Sequence, residues 1–189
     1  MADALIPSSD SEELARLYAL QVHAQQRWGQ YAYFEHVRRV HALCAELELG
    51  KVVRTAAWLH DCLEDSDKPV DSHTAELAEQ FGSEVCELVV CVSGFGANRT
   101  ARTADIVSKL WQQVHRTPSA SAQVPAVNLK LVDRFVNWSM CQQETDVLSR
   151  KLQKLFGREF AAHYRAFLPF AHPKLRALLQ TLSQRTLLD

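Results

Sequence analysis

Apolar positions recur along this chain at spacings of three and four, which is the pattern of a buried helical face, and strand-like alternation is hard to find anywhere. Ser9 followed by Glu12 has the spacing of a capping box, so a first helix is expected from there to about Trp28. A second covers Ala32 to Glu48 and is stopped by Gly50, a residue that tolerates left-handed backbone. The third, Val52 to about Asp65, has Val52, Ala56, Leu59 and Leu63 on one face, with Ala57 and Trp58 widening it. Asp71 or Ser72 caps a fourth helix ending at Gly82, and Ser83 caps a fifth that runs through Val92 to the Gly94-Phe95-Gly96 loop. Further helical patterns cover Thr103 to His115, Val127 to Met140, Asp146 to Leu168 and Lys174 to Leu188. In the long penultimate segment Leu148, Leu152, Leu155, Phe156, Phe160 and Phe167 form one stripe, which reads as core. Thr117 to Val124, rich in Ser, Ala and Pro, is an exposed loop.

The resulting fold class is all-α. At 189 residues one domain with one core is expected, and 6 Gly and 6 Pro leave little material for anything but long helices and short turns. The formal net charge of −1 supplies no field to attract a nucleic-acid backbone, so a small ligand is the expected partner. Five cysteines sit in apolar stretches without a CxxC pair, as reduced core thiols of a reducing compartment do. No targeting peptide and no membrane-spanning apolar run is present, so the expected location is the cytoplasm, with no membrane partner. Oligomeric state is not legible.

The chemistry concentrates in Ala56 to Asp65, AAWLHDCLED, where an apolar helix suddenly presents His60, Asp61, Glu64 and Asp65. On a continuous helix Glu64 lies one turn beyond His60, and Asp65 one turn beyond Asp61. A cation there would neutralise the acids and use the imidazole. The plainer alternative is a packed histidine with acids exposed at a frayed helix end, although the helix dipole disfavours acids there. Two other segments add to the case: His36 within Tyr33-Phe34-Glu35-His36, and Asp133 within the apolar run NLKLVDRFVN, Asn128 to Asn137. An inward-facing carboxylate in the latter is costly without a partner. The other six histidines, His23, His41, His73, His115, His163 and His172, have no comparable acid cluster and read as surface or packing residues.

In these motifs and their order, over about residues 20 to 145, the chain resembles the HD hydrolase domain of the SpoT-type alarmone hydrolases and their small stand-alone relatives. The matching motifs are Tyr33-Phe34-Glu35-His36, Leu59-His60-Asp61-Cys62-Leu63-Glu64-Asp65, Phe81-Gly82-Ser83-Glu84-Val85 with Leu88-Val89, and Lys130-Leu131-Val132-Asp133-Arg134-Phe135-Val136-Asn137. The resemblance implies a single-domain helical bundle of about eight to ten helices, with residues 146–189 as C-terminal helices. It implies that His36, His60, Asp61 and Asp133 bind one divalent ion, expected to be Mn2+, since a mixed nitrogen and oxygen set without thiolates suits manganese or iron. Glu64 and Asp65 would be catalytic acids, and Asn137 would hold or polarise the reacting phosphate. Lys130 and Arg134 would assist substrate binding electrostatically, or else be surface charges beside the motif.

The implied reaction is hydrolysis of the 3′-diphosphate of a purine alarmone, (p)ppGpp or (p)ppApp, with release of pyrophosphate. The chain departs from the family pattern where Val37 replaces a usual proline, where the basic segment shortens to Gln26-Arg27-Trp28, and where Ser93-Gly94-Phe95-Gly96 replaces Thr-Lys. Of the basic segment only Arg27 carries over as a substrate-binding residue. These departures fall on base recognition and leave guanine and adenine undecided. Competing readings are another HD phosphohydrolase such as a 5′-nucleotidase, and a catalytically silent nucleotide-binding regulator.

Overall fold

The computed structural model describes residues 10–64, 68–117, 123–143 and 146–186. Among these residues it contains nine α-helices and one two-residue hairpin, confirming the all-α class. The chain falls into two compact units, 1–94 and 95–189.

The first unit holds α1 (Asp10–Val22), β1 (Arg27–Trp28), β2 (Tyr31–Ala32), α2 (Tyr33–Glu46), α3 (Lys51–Leu59), α4 (Val70–Phe81) and α5 (Ser83–Val92). Here α3 is central, packed on α1, α2 and α5. Its short apolar sequence explains this, since Val53, Ala56, Ala57, Trp58 and Leu59 are all buried and only Lys51, Val52 and Arg54 keep partial exposure. Burying a side chain such as Leu59 stabilises the unit by about 1.5–3 kcal/mol.

On α2, Val37, Val40 and Cys44 face inward, while Glu35 bridges Arg38 and Arg39 on the outer side, at 2.8 Å to each. Glu12 of α1 ties this group together, accepting from Arg54 of α3 (2.8 Å) and meeting His41 of α2 (3.0 Å).

Several boundaries differ from expectation. The first helix stops at Val22 rather than Trp28, because Arg27-Trp28 pairs antiparallel with Tyr31-Ala32 around Gly29, whose φ of 57° makes the tight turn. Two residues per strand are too few to show alternation in a sequence. At the end of α2 the left-handed residue is Glu48 (φ 53°), not Gly50. Glu48 N donates to Ala45 O and Leu49 N to Cys44 O, the paired bonds of a Schellman ending, and Gly50 instead precedes α3. The third helix ends at Leu59, six residues short of the expected end, and His60 to Glu64 continue as turns. The cap of α5 is Gly82 (φ 88°) rather than the Ser83 side chain.

The second unit holds α6 (Arg99–Arg116), α7 (Pro125–Gln142), α8 (Val147–Glu159), a π-helical turn (Phe160–Tyr164), a 3₁₀ turn (Arg165–Phe170) and α9 (Pro173–Thr186). Asn98 caps α6 through Ala101 N, and Asp146 caps α8 through Leu148 N and Ser149 N. The buried helix is α7, thirteen of whose residues are inside, and α6, α8, α9 and the 3₁₀ turn pack on it.

The apolar stripe of the penultimate segment is core only toward its end. Phe160 and Phe167 are buried, Leu152, Leu155 and Phe156 are half-buried, and Leu148 is 61% exposed. One expected helix of 23 residues is in fact α8 followed by the π and 3₁₀ turns, which rotate the later side chains off the first stripe. Of the expected loop Thr117 to Val124, residues 118–122 lie outside the described residues. All five cysteines are buried free thiols. No described helix is long and apolar enough to cross a membrane.

Candidate metal centre

Local sequence forces presents two histidines and an aspartate to one another within the first unit. His36 shares the inward face of α2 with Val40, one turn on, and is fully buried. His60 follows the last residue of α3, where the final carbonyls of a helix lack intrahelical partners. Its Nδ1 meets one of them, Ala57 O, at 2.9 Å. A carbonyl only accepts, so Nδ1 carries a proton and Nε2 is turned to the opposite side.

That Nε2 lies 3.3 Å from His36 Nε2 and 3.0 Å from Asp61 Oδ2, and His36 Nε2 is 3.5 Å from the same oxygen. Two imidazole nitrogens and a carboxylate oxygen so close repel one another unless positive charge sits among them. Burial alone would push the Asp61 carboxyl up, but the His60 and His36 imidazoles hold it well below the ordinary carboxylate range.

The donor set fits a divalent ion. Neighbouring donors about 2.1 Å from an octahedral ion are about 3.0 Å apart, and about 3.4 Å for a tetrahedral one, from standard bond lengths. The three observed edges of 3.0, 3.3 and 3.5 Å span that range, the longest exceeding it by about 0.1 Å.

Asp61 is further oriented by Tyr33, the first residue of α2, whose hydroxyl donates to Oδ2 at 2.7 Å. Behind Tyr33 stacks His23, with ring centres 4.9 Å apart, and His23 Nδ1 in turn meets Gln26 Oε1 at 2.5 Å. Tyr33, one helical turn before His36, had no role assigned to it from its motif. Tyr33 and the hairpin before it set the start of α2, and Arg27 on that hairpin is exposed and donates to Gln30 O.

Glu64 is partly buried, and its Oε1 accepts from Gly94 N at 2.7 Å, fastening the turn after α3 to the end of α5. Ser93, fully buried, donates its hydroxyl to Val89 O (2.8 Å), with His60 O a more distant second acceptor (3.4 Å). The one-turn helical relation expected between His60 and Glu64 is therefore replaced by two consecutive turns, closed by Cys62 N to Leu59 O and Glu64 N to Asp61 O. Asp65 lies outside the described residues.

In the second unit Asp133 is fully buried on α7 and accepts from three neighbours. Lys130 Nζ (3.0 Å) and Arg134 Nη2 (2.8 Å) meet Oδ2, and Asn137 Nδ2 (2.5 Å) meets Oδ1. Lys130 and Asn137 stand three and four residues from Asp133, hence on its face of the helix. Arg134 also faces Glu159 (3.7 Å), which is clamped by Arg99 at 2.5 and 2.8 Å. Burial disfavours the Arg134 cation, yet Asp133, Tyr164 and Glu159 raise its pKa above the ordinary guanidinium value. Lys130, at 2% exposure, is thus no surface charge, and both cations pair with the Asp133 carboxylate inside the protein.

Of the other histidines, His115 and His163 are exposed and His172 is half-buried. His73 is fully buried against the Tyr18 hydroxyl (2.7 Å), and His41 stacks on Trp58 with ring centres 4.3 Å apart.

An HD domain family model matches residues 15–162, most of the chain and all of the motifs above, and the chain belongs to that family. By class it is a metal-dependent phosphohydrolase. Among solved structures its fold is similar to that of a metazoan ortholog of SpoT, described as hydrolyzing ppGpp and playing a role in starvation responses. The TM-score is 0.66 at 21% identity, covering 96% of this chain and 98% of that one. No curated protein matches the chain.

Proposed function

We propose that the protein hydrolyses the 3′-diphosphate ester of a purine alarmone, (p)ppGpp or (p)ppApp, and releases pyrophosphate. The observation that carries the reading is the triad of His36 Nε2, His60 Nε2 and Asp61 Oδ2 with edges of 3.0 to 3.5 Å. Family membership and the likeness in fold to a ppGpp-hydrolysing protein support it.

In this reading residues 1–189 work as one domain, and His36, His60, Asp61 and Asp133 hold one Mn2+. Such an ion supplies Lewis acidity toward phosphoryl oxygens and lowers the pKa of water. The chain's own residues do the rest. His60 is locked in its metal-ready tautomer by Ala57 O, and Asp61 is oriented by Tyr33. Glu64, held to Gly94 N through Oε1, and Asp65 act as acid and base for the attacking water and the departing 3′ oxygen. Lys130 and Arg134 stabilise the Asp133 carboxylate as a ligand, a positioning role in place of direct substrate contact. Asn137 fixes the Asp133 Oδ1 atom and would polarise the phosphate, while Arg27, exposed on the hairpin, would meet the substrate. The substrate is a soluble nucleotide in the cytoplasm.

The test is a panel of ppGpp, ppApp, GDP, GMP and AMP incubated with the protein and Mn2+, with pyrophosphate and orthophosphate measured separately. Pyrophosphate released only from the 3′-diphosphorylated nucleotides is the expected result. Orthophosphate from monophosphates, with the alarmones intact, would make the protein a nucleotidase instead. Tight binding of ppGpp without product under any divalent ion would make it a regulator.

A further inference from the structure

A cavity of about 280 Å³ opens in the second unit, bounded by α7, α8 with its π-helical turn, and α9. None of the proposed metal ligands or catalytic residues lines it. Its wall includes Lys154, Arg158 and Arg165, with Trp138, Gly157 and Ser183, and none of its lining residues is acidic.

Lys154 and Arg158 are one helical turn apart on α8. The wider π turn at Phe160–Tyr164 then brings Arg165 to the same cavity. Such turns recur at functional sites. Gly157, in the middle of α8, costs helix propensity relative to alanine and presents no side chain between the cations. None of the three cations has an ion-pair partner among the described residues, in contrast to Arg99 and Arg134 nearby, which share Glu159.

Trp138 supplies an independent observation. It is 1% exposed and its Nε1 is buried with no hydrogen-bond partner among the described residues. An indole N–H only donates, and buried tryptophans ordinarily find an acceptor. Trp138 is thus an unpartnered donor residue in the cavity wall, beside one ammonium, two guanidinium forks and the Ser183 hydroxyl, the last able to accept as well. Such a lining is complementary to an anion rich in acceptor oxygens.

We propose that this cavity is a second ligand site, which binds a diphosphate group, either free pyrophosphate or the diphosphate end of a nucleotide. A monophosphate carries about two negative charges near neutral pH, so three cations are better matched by a diphosphate. The two guanidinium groups suit bidentate contact with its oxygens. This inference stands on the second unit alone and does not depend on the substrate proposed above.

The test titrates the full chain, with and without Mn2+, with pyrophosphate, ADP, AMP and sulfate by calorimetry, and follows the four tryptophan indole N–H resonances by NMR. The variants are Lys154→Gln/Arg158→Gln/Arg165→Gln, and Trp138→Phe to assign the Trp138 signal. The expected result is pyrophosphate binding that shifts the Trp138 resonance and weakens at least tenfold in the triple variant, with AMP and sulfate weaker than pyrophosphate. Equal binding by ADP would assign the site to a nucleotide's diphosphate end, and pyrophosphate binding alone to the free ion. The variant should keep the wild-type circular dichroism and hydrolytic activity, and Arg158→Lys/Arg165→Lys should retain binding. Undiminished pyrophosphate binding in the triple variant, no movement of the Trp138 resonance, or no binding by the wild type would overturn the proposal.

Discussion

Replacing Asp133 by Asn keeps the shape of the side chain and removes its charge, leaving Lys130, at 2% exposure, without its buried counter-ion at 3.0 Å. Arg134 keeps Glu159 at 3.7 Å. Breaking a buried pair by removing one partner costs about 3–5 kcal/mol, against about 0–1 kcal/mol for an exposed pair. The two outcomes are well separated. Urea unfolding followed by circular dichroism, with metal chelated so that ion binding does not contribute, should show Asp133→Asn losing about 3 kcal/mol or more. In a Lys130→Met background the same change should cost at least about 1 kcal/mol less, because the Asp133 to Lys130 ion pair is already absent. A loss below about 1 kcal/mol in the wild-type background, or an equal loss in both, would refute the claim that Lys130 is held by Asp133.

Other outcomes follow from single contacts. Tyr33→Phe removes the hydroxyl that donates to Asp61 Oδ2 at 2.7 Å and should weaken Mn2+ binding by about tenfold in calorimetry, with little effect on folding. Glu48→Gly relieves a left-handed residue (φ 53°) and should raise stability by about 1 kcal/mol in urea unfolding. Gly96→Ala places a Cβ 2.7 Å from Ala101 Cβ and 3.1 Å from backbone atoms, and should destabilise by about 1–3 kcal/mol. Although burial would raise the Glu12 pKa, Arg54 and His41 bring it below 4.5 in the folded chain. Its contribution is therefore complete above pH 4.5 and lost as pH falls through the lowered value. The stability gap between wild type and Glu12→Gln should close on acidification over that window. An unchanged gap would show that Glu12 does not titrate with folding.

The helical elements were legible because most of them bury an amphipathic face. The expected fifth helix matches α5 at Val92 and differs by one residue at its start, and Tyr33 to Glu46 falls within the expected second helix. The failures come from forces that leave no period. A two-residue hairpin is too short to alternate. The end of α3 is set by the His60 side chain bonding Ala57 O and by tight turns, which the apolar run through Leu63 concealed. In the penultimate segment a regular stripe was read as one helix, whereas the π turn changes its phase and leaves Leu148 outside.

At the site, the pairing of His36 with His60 and Asp61 was available from the motifs and not from periodicity. Lys130 was left open between a substrate contact and a surface charge, although it stands in an apolar run three residues before Asp133 on the same helical face. The Tyr33 to Asp61 bond joins residues 28 apart in sequence, and local pattern carries no signal for it.

The central claim is one ion bound through two imidazoles, and the most direct measurement is pulsed electron paramagnetic resonance of the protein loaded with Mn2+, combined with metal analysis. The account predicts one Mn2+ per chain with nitrogen couplings from two histidines, one coupling lost in His36→Ala and one in His60→Ala, each variant checked for folding by circular dichroism. Mn2+ bound without nitrogen coupling, or a spectrum unchanged by both substitutions, would contradict it.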